Sequence, residues 1–137
     1  MNEDLTTSLA SIRTGPIEVK PDDTPADFGQ APIVISFADG TRLLATYWRL
    51  VKDSKAFLSS FDDRQRYGGP APIDAVATLG SELTGRSCSA VQLDEDTGDL
   101  VLQLSDRLRL RVFNFTSYEI WQIIFPNGGV QYSNYVG

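Results

Sequence analysis

Residues 99–135 read DLVLQLSDRLRLRVFNFTSYEIWQIIFPNGGVQYSNY, and three apolar runs within them decide the fold. Leu100, Leu102 and Leu104 alternate with Val101 and Gln103. Leu108, Leu110 and Val112 alternate with Arg107, Arg109 and Arg111. A period of two sends successive side chains to opposite faces of a strand, so each run reads as a half-buried strand. Residues 118–125 are apolar on both faces, with Ile120 and Ile124 on one and Trp121, Ile123 and Phe125 on the other. That is the pattern of a strand covered on both sides. Residues 126–129 (Pro-Asn-Gly-Gly) are turn chemistry, and Val130-Gln131-Tyr132 reads as a return strand. The stretch is an antiparallel meander.

Outward from it, the chain repeats itself. Residues 33–43 (IVISFADGTRL) match residues 100–110 (LVLQLSDRLRL) at an offset of 67. The match resumes with Trp48 against Trp121 at an offset of 73, and with Asp53, Ser59 and Phe61 against Asn127, Ser133 and Tyr135 at 74. Residues 113–117 belong to the insertion that changes the offset. The pattern predicts two diverged meanders, 31–61 and 98–135, joined by one short helix. The fold class is mainly β, of the α+β kind.

The repeat also predicts a register. With a three-residue loop at 105–107, Leu104 faces Leu108, Leu102 faces Leu110 and Leu100 faces Val112, all on one face. The same rule pairs Phe37 with Thr41 and Ile35 with Leu43, and gives Gly40 the left-handed position of its loop. Arg107 stands at that position in the second copy, which predicts a strained or differently shaped turn. Elsewhere, strands are expected over 33–37, 42–51, 56–61 and 87–93. A helix is expected over 73–83, where Ile73, Val76, Leu79 and Leu83 form one stripe ahead of Gly85. A short helix is read around 5–12, and residues 21–31 have the composition of an irregular connection.

Composition narrows the function classes. At 137 residues and 42% apolar content, the chain is long and apolar enough for one domain with its own core. Its longest apolar runs are far short of the roughly 20 residues that span a bilayer, and no secretory leader is read at the start. The single cysteine, Cys88, allows no intrachain disulfide and fits a cytoplasmic setting. The net charge is −6, and residues 1–30 hold six acids against two bases. They read as an acidic N-terminal arm, solvated and partly irregular, ahead of a single β-rich domain over 31–137. No basic excess exists, so nucleic acid is not an expected partner.

No catalytic constellation is legible. The chain has no histidine, which removes Ser-His-Asp and Cys-His chemistry and histidine metal sites. Cys88 has no base beside it and reads as a small core residue. Residues 94–99 (DEDTGD) resemble the start of a calcium loop, but its twelfth position is Ser105 rather than a bidentate acid. Asp62 and Asp63 could act as an acid/base pair, or could cap the loop and pair with Arg64 or Arg66. Arg107, Arg109 and Arg111, with Arg42 at the repeat position, could form a basic stripe or be neutralised across strands. No metal or cofactor is expected.

Several motifs resemble a family of small bacterial proteins of unassigned function. They are Tyr47-Trp48-Arg49, Ser60-Phe61-Asp62, Tyr67-Gly68, Tyr118 through Trp121, Phe125-Pro126-Asn127-Gly128 and Tyr132-Ser133-Asn134-Tyr135. The similarity covers residues 33–135, and its members resemble the immunity proteins of polymorphic toxin systems. Where the family pattern has a histidine, this chain has Asp63, which weighs further against catalysis. The resemblance implies a non-catalytic, cytoplasmic protein-binding domain that occludes a bacterial toxin, one of basic character. The alternatives are a small-ligand or metabolic enzyme using carboxylates such as Asp62 and Asp74, and a structural homodimer formed through open meander edges. For a protein partner, the expected site is the loop 61–72, with Asp62, Asp63, Arg64, Arg66 and Tyr67. It is the longest stretch without apolar period, and tyrosine and arginine are enriched at binding hot spots.

Overall fold

The computed structural model describes residues 9, 12, 15–23, 27, 29–94, 96–104, 107–114 and 121–132. Most of the helix read over 5–12, the start of the run 118–125 and the motif at 133–135 lie outside the described residues. In chain order the strands are β1 (Gly15–Pro16), β2 (Glu18–Pro21), β3 (Ile33–Ser36), β4 (Arg42–Ala45), β5 (Trp48–Lys52) and β6 (Lys55–Ser59). A 3-10 turn (Ser60–Asp62) and helix α1 (Ala75–Leu83) follow. Then come β7 (Ser87–Leu93), β8 (Leu100–Leu104), β9 (Leu108–Val112), β10 (Trp121–Ile124) and β11 (Val130–Tyr132). They form two antiparallel sheets, one ordered β1-β7-β8-β9-β5-β6 and the other β11-β10-β4-β3-β2. The described residues are mainly β, with the one short helix α1, as the alternation implies.

Both first hairpins adopt the expected register. Leu100 pairs with Val112 and Leu102 with Leu110, and in the first copy Ile35 pairs with Leu43. All six of these residues are completely buried. The loop in copy one closes with Phe37 N–H donating to Thr41 O at 2.8 Å, and Gly40 sits at φ 93°. Arg107 occupies the equivalent position at φ 64°, where a Cβ is crowded against its own carbonyl.

One expected strand divides. Residues 42–51 read as a single return strand, but β4 and β5 lie in different sheets, separated at residues 46–47. The burial parity carries the reason: Leu43 and Ala45 point inward, then Trp48 and Leu50. An unbroken strand cannot bury odd and then even positions on one side. The same switch occurs in the second copy, from Leu110 and Val112 to Trp121 and Ile123. The two meanders are thus not separate sheets. Each copy contributes its first hairpin to one sheet and its second hairpin to the other, so the copies exchange hairpins.

The exchange is symmetric in register. Trp48 pairs with Val112 and Leu50 with Leu110, while Trp121 pairs with Ala45 and Ile123 with Leu43. These contacts are related by the repeat offsets of 67 and 73. The tryptophans are equivalent in hydrogen bonding too. Trp48 Nε1 donates to Ala31 O and Trp121 Nε1 to Gly98 O, each at 2.8 Å. The pairing refines the last offset: Arg49 opposes Ser59 as Gln122 opposes Tyr132, which gives 73 at Ser59, while Val51 opposite Ala56 and Ile124 opposite Val130 give 74 across the irregularity in β5–β6.

The acidic arm is more ordered than its composition implies. β1 pairs with β7 of one sheet and β2 with β3 of the other, so this short segment joins both. Ile17 and Val19 are buried, and Ile17 exchanges backbone hydrogen bonds with Gly85 and Arg86. Helix α1 starts at Asp74, whose carboxylate accepts Ala77 N–H, and buries Ala75, Leu79 and Leu83. It lies against β2, where Val19 N–H donates to Thr84 Oγ1 at 3.2 Å. That contact occupies part of the edge β2 would otherwise leave open.

Two stability outcomes follow from this packing. Leu102→Ala removes a fully buried side chain between paired strands and is expected to cost ~2–5 kcal/mol in denaturant melts. Arg107→Gly relieves the left-handed residue and is expected to stabilise by ~0.5–1 kcal/mol in the same assay.

Candidate functional site

The loop after β6 is built by its own polar side chains. Ser59 caps the 3-10 turn: its Oγ accepts Phe61 N–H at 3.2 Å, and Asp62 Oδ2 accepts Ser59 N–H at 2.8 Å. Ser60 is buried, and its Oγ accepts Trp48 N–H at 3.2 Å, which ties the turn to the strand exchange. Phe61 then turns outward against Tyr47, with ring centroids 5.8 Å apart. The phenylalanine also lies over Gly29, where a Cβ would fall 2.6 Å from its ring. Only glycine fits there, and at φ 84° only glycine does so without backbone strain.

Beyond Phe61 the five expected site residues take different roles: Asp62 meets Tyr67 and Asp63 meets Arg64, while Arg66 stands apart. Asp62 Oδ1 accepts the Tyr67 hydroxyl at 2.7 Å. Asp63 Oδ1 accepts Ala75 N–H at 2.9 Å at the start of α1, and its Oδ2 lies 3.7 Å from Arg64. Arg64 Nη2 donates to Asp27 O at 3.3 Å. Its backbone and that of Gln65 exchange hydrogen bonds with Ile73, closing the base of the loop. Arg66 is exposed, and its carbonyl accepts Gly69 N–H. Tyr67 is 71% exposed, the most exposed large apolar side chain described, and Phe61 follows at 39% among the loop residues. Asp62 and Asp63 are therefore fixtures of the loop, and Tyr67 with Phe61 is what it presents.

The other sequence candidates separate. The acidic stretch at 94–99 is a hairpin turn: Asp94 and Asp99 are bridged by a backbone hydrogen bond, Asp94 Oδ1 accepts Asp96 N–H, and Asp99 Oδ1 accepts Asn114 N–H. Among the described residues no group of three histidine, cysteine, aspartate or glutamate side chains is placed to hold a metal ion. Cys88 is buried in β7, and burial pushes its thiol up to about 11. Arg42 lies in the five-stranded sheet, away from Arg109 and Arg111, so the four-residue basic stripe does not form. The part played by Phe61 and Tyr47 was not legible from spacing, because their contact depends on where residues 46–47 cross between sheets.

The Tyr67–Asp62 bond has a pH signature. The hydrogen bond to Asp62, reinforced by the carboxylate's charge, raises the phenol above the ordinary 10.0. The bond requires the protonated phenol, so its contribution is full below pH 10 and is lost as pH rises through the raised value. Tyrosinate absorbance, taken as the difference from Tyr67→Phe, is expected to show this late ionisation and to move back toward 10.0 in Asp62→Asn.

In comparison with known proteins, the chain matches no protein-family model, no curated protein and no solved structure.

Proposed function

We propose that this chain is a non-catalytic protein-binding domain, an immunity protein that neutralises a bacterial toxin in the cytoplasm. The observation that carries the reading is the presentation of Tyr67. It stands 71% exposed on a loop whose backbone is closed by Arg64, Gln65 and Ile73, and its hydroxyl is held by Asp62. A large side chain already held in place loses little freedom on binding, so more of its contact energy appears as affinity. Exposed Arg66, the neighbour of Tyr67 in sequence, adds a second residue type enriched at binding hot spots. The chain's net charge of −6 favours encounter with a basic toxin.

The acids weighed for an enzyme have structural partners. Asp62, Asp63 and Asp74 each accept backbone N–H groups that hold a turn or the helix start. The homodimer alternative meets a blunted edge, since outer strand β6 carries exposed Lys55 and an irregular register against β5. No described helix is long and apolar enough to cross a membrane.

The test is co-expression with the product of the neighbouring gene, which this reading requires to be a toxin. Copurification and protection of growth are expected. Tyr67→Ala should weaken binding by about 10–100-fold, or ~1.4–2.8 kcal/mol, in a variant that still folds and melts cooperatively. A folded Tyr67→Ala variant that binds and protects like the parent would sink the reading.

A further inference from the structure

The outer face of the six-stranded sheet carries an unbalanced charge. Strand pairing places Gln92, Val101, Arg111, Arg49 and Ser59 in one row across β7-β8-β9-β5-β6. The next row is Ala90, Gln103, Arg109, Val51 and Ala56. Neither row holds a carboxylate. Arg49 and Arg111 are directly opposed, at a separation of roughly 5 Å between Cβ atoms, and Arg109 follows on the same face of β9 about 7 Å away. Opposed like charges destabilise a sheet. None of the three arginines is in an ion pair among the described residues.

The fold itself does not ask for this arrangement. The internal duplication supplies a control within the same molecule. In the five-stranded sheet the equivalent row is Lys20, Val34, Leu44, Gln122 and Tyr132. Leu44 stands where Arg111 does, and Gln122 where Arg49 does. The same pairing geometry is satisfied there by a neutral pair, with no repulsion. Arg49 is also held in place: its guanidinium lies 5.2 Å from the centre of the Phe113 ring. A cation stacked on an aromatic face is oriented before any ligand arrives.

We infer that this face, centred on Arg49, Arg111 and Arg109, is a docking surface for an acidic protein segment carrying two or three closely spaced carboxylates. Guanidinium groups bind carboxylates through paired N–H donors, and a bound acid would cancel the repulsion between Arg49 and Arg111. A long polyanion suits the surface less well. The exposed acids Asp94 and Asp96 lie in the turn that joins β7 to β8, and Asp62 lies just past Ser59 at the far side of the first row. The basic patch is therefore short, and the whole chain is acidic. The inference is independent of the toxin reading, because it rests on the sheet face rather than on Tyr67.

The probe is a fluorescein-labelled octaglutamate peptide, followed by anisotropy at low ionic strength and again at about 0.15 M salt. The parent protein is expected to bind at low salt and to weaken as salt rises. Arg49→Gln and Arg111→Gln should each weaken binding by about five-fold or more, while Arg49→Lys keeps the charge, loses the paired donors and falls between. Arg42→Gln makes the same charge change at the position equivalent to Arg109 in the other sheet, and should leave binding unchanged. Thermal melts of Arg49→Gln and Arg111→Gln should be no lower than the parent's, since each removes an opposed like charge. The inference is overturned if the parent does not bind at low salt, or if Arg42→Gln weakens binding as much as Arg49→Gln. Lowered melts in both glutamine variants would assign these arginines to the fold instead. Tighter binding of a single-stranded oligonucleotide than of the peptide would also overturn it, in favour of nucleic acid.

Discussion

Two indole hydrogen bonds hold this architecture in its exchanged form. Each tryptophan opens the second hairpin of its own copy, pairs with a strand of the other copy, and donates to a backbone carbonyl just ahead of its own first strand. Both rings are essentially buried, and a buried N–H or carbonyl left unpaired is costly. In the first copy, residues 46–47 carry the chain from one sheet to the other directly ahead of Trp48. The crossing, the parity switch and the hairpin exchange are therefore one constraint seen at three levels. The core then forms between the two inner faces, with α1 and the 15–21 strand segment covering one margin.

Both proposed surfaces hang from the same crossing. Trp48 N–H is accepted by Ser60 Oγ, so the loop bearing Phe61 and Tyr67 starts from the exchanged strand. Tyr47, in the crossing itself, stacks on Phe61 and accepts Phe113 N–H through its carbonyl. Phe113 in turn stacks with Arg49, which the exchange sets opposite Arg111. A rigid scaffold can hold polar and aromatic groups in costly arrangements because its core supplies the stability they subtract. The five-stranded sheet shows the arrangement that results when no such demand is made: Leu44 opposite Gln122.

Much of the local structure was legible. Alternation and turn chemistry located β3, β4, β8, β9 and β11, and the repeat placed Gly40 and Arg107 at one loop position. Asp74 and Gly85 bracketed α1. These features depend on neighbours within a few residues, so periodicity and turn preferences record them. The segment 15–21 was hidden because only Ile17 and Val19 alternate in it, among two prolines and charged residues. Residues 61–72 were legible as a loop, yet the division of labour within it was not visible. Whether Asp62 presents its charge or spends it on Ser59 and Tyr67 depends on the closed loop geometry.

By itself, then, the sequence determined most of the strands, the registers of the two first hairpins and the repeat, because each is written in short-range spacing. Tertiary structure alone decided which hairpin joins which sheet, and with that the opposition of Arg49 to Arg111 and the stacking of Tyr47 on Phe61. The physical reason is that strands far apart in the chain pair through whatever faces the core buries together. A backbone ladder accepts almost any residue at its outward positions, so nothing in the local pattern names the partner.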